Sequence, residues 1–237
     1  MELKRFVKTC FRFWFKLKDF VVYINCNYLR INKSSVYGYL DKHTTLQMPI
    51  VCANPKLVFF ESCRIRSNLN VINYTGKFIV KKYSAIAPNC TVVTGNHRPI
   101  VGIPHLFLGA CHIKDKETDI IVEEAVWIGV NCTLLAGAHI GRGAIIGACS
   151  MVNREIPPYA VAVGSPAKVV ASVFSIDQII EHEVQIYPEN ERFSRSYLEE
   201  LFAQYYVGKK SIGLDVPLSE VEKSKIDQFK KAIGFNI

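Results

Sequence analysis

The sequence predicts a mostly β fold, a parallel solenoid of stacked triangular coils that follows an N-terminal helix and precedes a helical tail. Two regularities predict the solenoid: an aliphatic residue returns at every sixth position, and a mostly small residue stands four places after each of them. The aliphatic series is Val122, Ile128, Leu134, Ile140, Ile146 and Val152. The second series is Val126, Cys132, Ala138, Ala144, Ser150 and Ile156. A period of six fits neither an amphipathic helix nor a plain alternating strand.

The repeat predicts short flat strands joined by tight corners, with three strands in each turn. One aliphatic side chain per strand points inward and stacks on its counterpart in the next coil, while the small residues and glycines let the corners close. Because one coil cannot bury its inner face alone, neighbouring coils have to stack. The predicted coils are 80–97, 122–139 and 140–157, preceded by less regular coils over 46–79.

The segment 98–121 interrupts the repeat without changing its phase. A loop of this length in a compact domain usually serves a function. It begins directly after His97, the last residue of its coil, and we therefore expect a functional site at this corner.

Pro157 and Pro158 predict the end of the regular coils, since proline cannot donate a ladder hydrogen bond. Beyond them, serine capping pairs predict three helices, which begin after Ser175, Ser196 and Ser219. The predicted organisation is an amphipathic helix and lead-in over 1–45, a solenoid domain over 46–170 with the loop 98–121, and a helical tail over 171–237.

Residues 1–24 combine helical spacing of apolar residues with a basic face. Such a helix can pack on the solenoid or on a neighbouring subunit, and it can also lie on a membrane surface. The sequence leaves both interpretations open.

The composition is that of a folded domain, with 49% hydrophobic and 21% charged residues in 237. Eight scattered cysteines, without a CxxC pair or a signal peptide, predict reduced thiols in a cytoplasmic protein. Cys90 and Cys132 occupy small positions of the repeat and are predicted to be core residues. The net charge of +8 suits polyanions, but nucleic-acid binding would depend on charge alone and is not predicted.

Several motifs within Ile86 to Val170 resemble the hexapeptide-repeat acyltransferases, in particular the maltose and galactoside O-acetyltransferase and xenobiotic acetyltransferase group. The matching segments are Ile86 to Asn89, Thr94 to Pro99, Val126 to Gly129, Ala136 to Gly141, Ile145 to Val152 and Ile156 to Val169. The tail, with Ile179 to Glu183, is similar to that of O-acetyltransferases of surface polysaccharide synthesis. The resemblance implies a left-handed coil, a homotrimer with sites between subunits, acetyl-CoA as donor, and direct transfer in a ternary complex without a metal.

His97 is the predicted general base. Acyl transfer to an alcohol needs a group that takes the hydroxyl proton while the oxygen attacks the thioester, and imidazole is suited to this at neutral pH. The Gly-Asn-His sequence before the loop matches the position of the base in the family. His105 and His112 lie in the loop, where contact with the acceptor is an alternative to a structural or solvent-facing role.

The resemblance also implies donor contacts along one edge of the solenoid. Backbone groups of Val130 and Ala148 would hold the pantetheine arm, and Trp127 would form a wall at its thioester end. The nucleotide end would meet Asn153, Arg154 and Lys168, although the family often has Thr-Lys where this chain has Asn-Arg.

The acceptor contacts depart from the family pattern. Ser67 and Thr75 stand where related enzymes hold a sugar with Asn and Asp. Asn73, Tyr74 and Asn96 are the substitutes that we predict, and the missing acid argues against maltose or galactoside as acceptor.

The sequence therefore predicts an O-acetyltransferase that acts on a saccharide of a capsule, lipopolysaccharide or exopolysaccharide. The location expected for it is the cytoplasm, with residues 1–24 as a candidate contact to the inner membrane surface. Three alternatives stay open: a xenobiotic acetyltransferase of the streptogramin or chloramphenicol type, a metal-dependent β-helix protein similar to γ-carbonic anhydrase, and a non-catalytic scaffold.

Overall fold

The computed structural model describes residues 36–234 and four positions near the N-terminus, Trp14, Leu17, Phe20 and Val21. These four residues are helical and exposed, and the rest of the predicted N-terminal helix lies outside the described residues. The described chain forms a β-solenoid of about six turns, followed by helices.

Three sheets form the faces of the solenoid, and their strands are parallel except for the last strand of face B. Face A contains β1 (Tyr39–Leu40), β4 (Val58–Phe60), β7 (Phe78–Val80), β12 (Ile120–Val122), β15 (His139–Ile140) and β18 (Glu155–Ile156). Face B contains β2 (Thr45–Leu46), β5 (Arg64–Ile65), β8 (Ala85–Ile86), β13 (Trp127–Ile128), β16 (Ile145–Ile146), β19 (Ala160–Val163) and β20 (Lys168–Ser172). Face C contains β3 (Ile50–Cys52), β6 (Leu69–Ile72), β9 (Thr91–Val93), β14 (Thr133–Leu135) and β17 (Met151–Val152).

The core consists of the inward-facing aliphatic side chains that the six-residue period predicted, each stacked on its counterpart in the next coil. On face A, Val80 pairs with Val122 and Val122 with Ile140. Faces B and C repeat the arrangement, and every aliphatic residue of the predicted series is buried. Burial of one such side chain stabilises the fold by about 1.5–3 kcal/mol, so stacking coils accumulate stability that a single coil lacks. Cys90 and Cys132 are also buried, which confirms their prediction as core residues.

The segment 98–121 leaves the solenoid after face C and returns to face A in phase. The residues just before this segment, β10 (Gly95–Asn96), pair antiparallel with β11 (Lys116–Glu117) near its end. Between them lies helix α1 (His105–Cys111), whose Leu108 is fully buried. Since β12 pairs directly with β7, the excursion leaves the ladder intact.

Both ends of the solenoid differ from the sequence prediction. Face A begins at β1, so the ladder starts several residues before 46. After Pro157 and Pro158, β19 still pairs in parallel with β16, and β20 then turns back antiparallel to β19. The prolines lie at a corner rather than within a strand, so they remove no ladder hydrogen bond.

The tail contains α2 (Ile176–Ile186), α3 (Arg195–Tyr205) and α4 (Glu220–Ile233), with short 3-10 turns over Pro55–Leu57 and Glu189–Glu191 elsewhere. The predicted capping boxes of α2 and α4 are present. Helix α3 is capped by Ser194 rather than Ser196, because the Ser194 hydroxyl accepts from the Tyr197 N–H. Within the part of the chain that the structure describes, no helix is both long and apolar enough to cross a membrane.

Helix α2 docks on the solenoid through a buried carboxylate. Glu183 is 1% exposed and accepts hydrogen bonds from Arg142, from the Tyr159 hydroxyl and from the Phe193 N–H. A buried charge needs such partners, and the tail is therefore fixed in one position on the coils.

Candidate active site

His97 lies immediately after β10, at the corner between faces C and A. Its side chain is 47% exposed, and its Nδ1 lies 2.9 and 3.0 Å from the two carboxylate oxygens of Asp115. The hairpin explains this pairing, because its register places Asn96 opposite Lys116 and so brings residues 97 and 115 together.

The Asp115 carboxylate defines the proton position on His97. An ionised carboxylate only accepts hydrogen bonds, so Nδ1 carries the hydrogen and donates it. The hydrogen bond from His97, and a weaker contribution from His112, hold the pKa of Asp115 below its ordinary value despite some desolvation. In the neutral ring the lone pair then lies on Nε2, which is the atom that can take a proton from an acceptor.

His112 is a second imidazole on the same carboxylate. It follows α1 with a left-handed backbone, at φ 51°, and its Nδ1 donates to Asp115 over 2.9 Å. Its ring stacks on Tyr74 with centroids 4.3 Å apart and planes parallel within 1°. The sequence did not predict that His97, His112 and Asp115 meet, since no periodic pattern connects them.

Glu117 braces the turn that carries Tyr74. Its carboxylate accepts from the N–H groups of Tyr74, Thr75 and Gly76 and from the Thr94 hydroxyl. Partial burial pushes the pKa of Glu117 upward, but these hydrogen bonds outweigh it and leave the pKa below its ordinary value. The turn, the hairpin and the coil corner are thereby held together beside His97.

The predicted acceptor residues separate into two groups. Tyr74 and Asn96 are exposed. Tyr74 stacks on His112, whose ring centroid lies 5.7 Å from that of His97, and Asn96 is the residue before His97 in the chain. Asn73 is instead 2% exposed: its Oδ1 accepts from the Asn54 N–H, and its Nδ2 donates to the carbonyls of Asn54 and Gly76. This side chain has no free polar atom facing solvent, so the structure contradicts its prediction as an acceptor contact.

The predicted donor residues are exposed but do not share one corner. Trp127 is 58% exposed on the outer side of face B. Val130 and Ala148 lie between strands of faces B and C, whereas His97 lies between faces C and A. The whole of face C therefore separates the base from the predicted pantetheine contacts within one chain.

The predicted nucleotide contacts are also divided. Asn153 and Arg154 lie at the same corner as His97, two coils further along, and Lys168 begins β20. All three are exposed. No single corner of one chain carries the complete predicted donor set.

The comparisons with known proteins identify the repeat. Residues 119–154 match the family model described as bacterial transferase hexapeptide (six repeats). The matched residues are the solenoid coils from β12 to β17, and this part of the β-helix is built from hexapeptide repeats. This confirms the predicted repeat class, and the fold is consistent with a left-handed coil.

Curated relatives match parts of this chain. A probable macrolide acetyltransferase of Lysinibacillus sphaericus is 35% identical over 44% of this chain and 64% of its own length. A chloramphenicol acetyltransferase of Morganella morganii is 37% identical over 31% of this chain and 35% of its own. A galactoside O-acetyltransferase of Lactococcus lactis is 33% identical over 46% of this chain and 50% of its own. The chain thus spans less than two thirds of each of these relatives.

Solved structures share the hexapeptide-repeat fold. A hexapeptide-repeat acetyltransferase from Vibrio cholerae superposes with a TM-score of 0.54 at 23% identity, covering 60% of this chain and 77% of that one. A maltose O-acetyltransferase from Clostridium difficile superposes with a TM-score of 0.53 at 23% identity, covering 60% of this chain and 72% of that one. At this identity the likeness shows the fold alone.

Proposed function

We propose that this protein is an acetyl-CoA-dependent O-acetyltransferase that acts on a hydroxyl of a saccharide acceptor in surface polysaccharide synthesis. The observation that carries the proposal is the Asp115 carboxylate on Nδ1 of His97, which leaves Nε2 as a base at a half-exposed corner. The curated relatives named as acetyltransferases support the reaction class.

The proposed reaction is direct transfer. Nε2 of His97 accepts the acceptor hydroxyl proton while the oxygen attacks the thioester carbonyl. The carbon–oxygen bond forms, the carbon–sulfur bond breaks, and the proton passes to the departing CoA sulfur. Asp115 stabilises the imidazolium that exists between these steps, and the chain needs no covalent acyl-enzyme.

The proposed assembly is a homotrimer with a site at each boundary between two chains. The separation of His97 from Val130 and Ala148 by face C supports it, because a neighbouring chain can bring the second corner against the first. Trp127, Asn153, Arg154 and Lys168 remain the proposed further donor contacts. Their exposure is compatible with a CoA molecule lying along this boundary.

The proposed acceptor site is the surface formed by Tyr74 and Asn96 beside His97. An exposed aromatic ring is a suitable platform for the apolar face of a sugar ring, and Asn96 supplies donors and acceptors for hydroxyls. The second candidate function is xenobiotic acetylation, which the names of the macrolide and chloramphenicol relatives favour.

We propose a cytoplasmic location with contact to the inner membrane surface through residues 1–24. The apolar side chains of Trp14, Leu17, Phe20 and Val21 are exposed, which supports this contact.

A screen of purified protein tests the proposal. Radiolabelled acetyl-CoA is incubated with monosaccharides, polysaccharide fragments, chloramphenicol, a streptogramin and a macrolide, and transfer to each is measured. We expect transfer to a saccharide and a loss of about 10²–10⁴ in turnover for His97→Ala. The matched control is His139→Ala, which removes another half-exposed histidine bonded to a carboxylate, Glu123. Full activity of His97→Ala would exclude the mechanism, and transfer only to an antibiotic would favour the second candidate.

A further inference from the structure

Three metal-ligating side chains converge at the end of the excursion. One ring nitrogen of His97, one of His112 and a carboxylate oxygen of Asp115 all lie within 4.8 Å of one another. Among the residues that the structure describes, this is the one group of histidine, cysteine or acidic side chains with that property. In both rings Nδ1 is the nitrogen that meets the Asp115 carboxylate. Neither the fold nor the proposed acetyl transfer requires the second imidazole there.

We propose that His97, His112 and Asp115 form a binding site for a divalent transition-metal ion of the zinc type. Two imidazoles and one carboxylate are ligands that Zn²⁺ accepts, and a site with three protein ligands keeps an open coordination position. The Asp115 carboxylate supplies the negative charge that a divalent ion needs.

The backbone conformation places the three ligands close together before any metal binds. The hairpin of β10 and β11 brings His97 and Asp115 together, and the left-handed residue at the end of α1 turns His112 onto the same carboxylate. Stacking on Tyr74 fixes the orientation of the His112 ring. Both imidazoles are exposed, at 47% and 41%, so an ion can reach the group from solvent.

A metal ion at this site would inhibit the proposed base by changing the tautomer of the His97 ring. This consequence rests on the proposed function. A metal ion on Nδ1 of a neutral imidazole leaves the hydrogen on Nε2. The proton moves from Nδ1 to Nε2, so the ring stays neutral and no proton is gained or lost. Nε2 then donates instead of accepting, and it can no longer take the acceptor hydroxyl proton. The metal is thus an inhibitor, and acetyl transfer itself still needs none.

Metal titration of the full chain tests the site without any activity assay. The protein is stripped with chelator and titrated with Zn²⁺ by calorimetry and with Co²⁺ by visible absorption. We expect one ion per chain, and for His112→Ala a loss of affinity of at least about tenfold. His139→Ala is the matched control and should bind as the wild type does, because His139 pairs with Glu123 and does not belong to the group of three ligands. Equal affinity in the wild type and His112→Ala would overturn the site.

A second variant, His112→Gln, covers the case in which His112→Ala fails to fold, as judged by circular dichroism. The inhibition is tested by adding Zn²⁺ to the transfer assay, with each protein normalised to its own metal-free rate. We expect inhibition of the wild type and resistance in the His112 variants. Stoichiometric Zn²⁺ binding without loss of transfer would overturn the proposed inhibition. Absence of transfer with intact Zn²⁺ binding would count against the proposed function and leave the site standing.

Discussion

At the scale of residues, the proposed chemistry depends on which nitrogen of His97 carries the hydrogen. The tautomer of a neutral histidine is set by its hydrogen-bond partners, and the carboxylate of Asp115 favours the one with the hydrogen on Nδ1. The same carboxylate also receives His112, so two rings are oriented by one acid. In the proposed mechanism Asp115 is therefore a positioning residue and does not touch the substrate.

Asp115→Asn should be more harmful than Asp115→Ala. The amide nitrogen of the introduced asparagine can donate to Nδ1 of His97, which would put the ring hydrogen on Nε2 and block the base, whereas alanine leaves the tautomer free. We expect losses in kcat on the order of 10²–10⁴ for the asparagine variant, with little change in KM for acetyl-CoA. Steady-state kinetics measure this, together with the dependence of kcat on pH. An asparagine variant as active as the alanine variant would contradict the tautomer argument.

Gly109 keeps space open beside the base. A Cβ at this position would lie 3.5 Å from Cδ2 and Nε2 of His97. In the proposed mechanism the acceptor hydroxyl approaches this same Nε2. Gly109→Ala should therefore lower turnover by up to about 10²-fold through misplacement of the acceptor, without unfolding the protein. The measurement is kcat/KM for the acceptor beside a thermal melt. The control is Gly102→Ala, where no atom lies within 4 Å but φ is +82°, so that it carries only backbone strain. Unchanged acceptor kinetics in Gly109→Ala would place the acceptor elsewhere.

At the scale of elements, what could be predicted follows the six-residue period. The period identifies the residues that face the core, so strands such as β12 to β17 were predictable from the series Val122 to Val152. The meeting of His97, His112 and Asp115 was not, because it depends on a hairpin register and a left-handed residue that have no periodic pattern. Asn73 was predicted wrongly for a similar reason. Its buried amide hydrogen-bonds the backbone of Asn54 in the adjacent coil, which only the three-dimensional structure shows.

Glu117 should stabilise the hairpin in a pH-dependent way. Its folded pKa lies below the ordinary value of 4.5, so its stabilisation is complete above that pH and disappears as the pH falls through the lowered pKa. Glu117→Gln should cost about 1–3 kcal/mol at pH 7, because backbone N–H groups lose a charged acceptor. The difference in unfolding free energy between Glu117→Gln and the wild type should become smaller below pH 4.

Thermal melts across this pH range measure the effect of Glu117→Gln. Glu200→Gln, on the exposed side of α3, is the control and should behave as the wild type throughout. A stability loss that stays constant from pH 7 to pH 3 would show that the Glu117 charge is not what braces the hairpin.

At the scale of the whole molecule, one chain holds the base and the proposed pantetheine contacts at different corners. Complementation between two inactive variants tests whether a neighbouring chain completes the site. His97→Ala removes the base, and Ala148→Trp fills the proposed donor groove at an exposed position. Each should be inactive alone, whereas co-expressed chains should recover activity, since a mixed boundary can combine an intact His97 with an intact Ala148. A mixture that stays inactive would indicate a site within one chain.

The most direct test is a crystal structure of the protein with bound CoA. We predict a trimer in which the CoA sulfur lies beside Nε2 of His97 from one chain, while Val130 and Ala148 of the neighbouring chain contact the pantetheine arm. A coenzyme held by a single chain, or a His97 ring that faces away from it, would contradict the account.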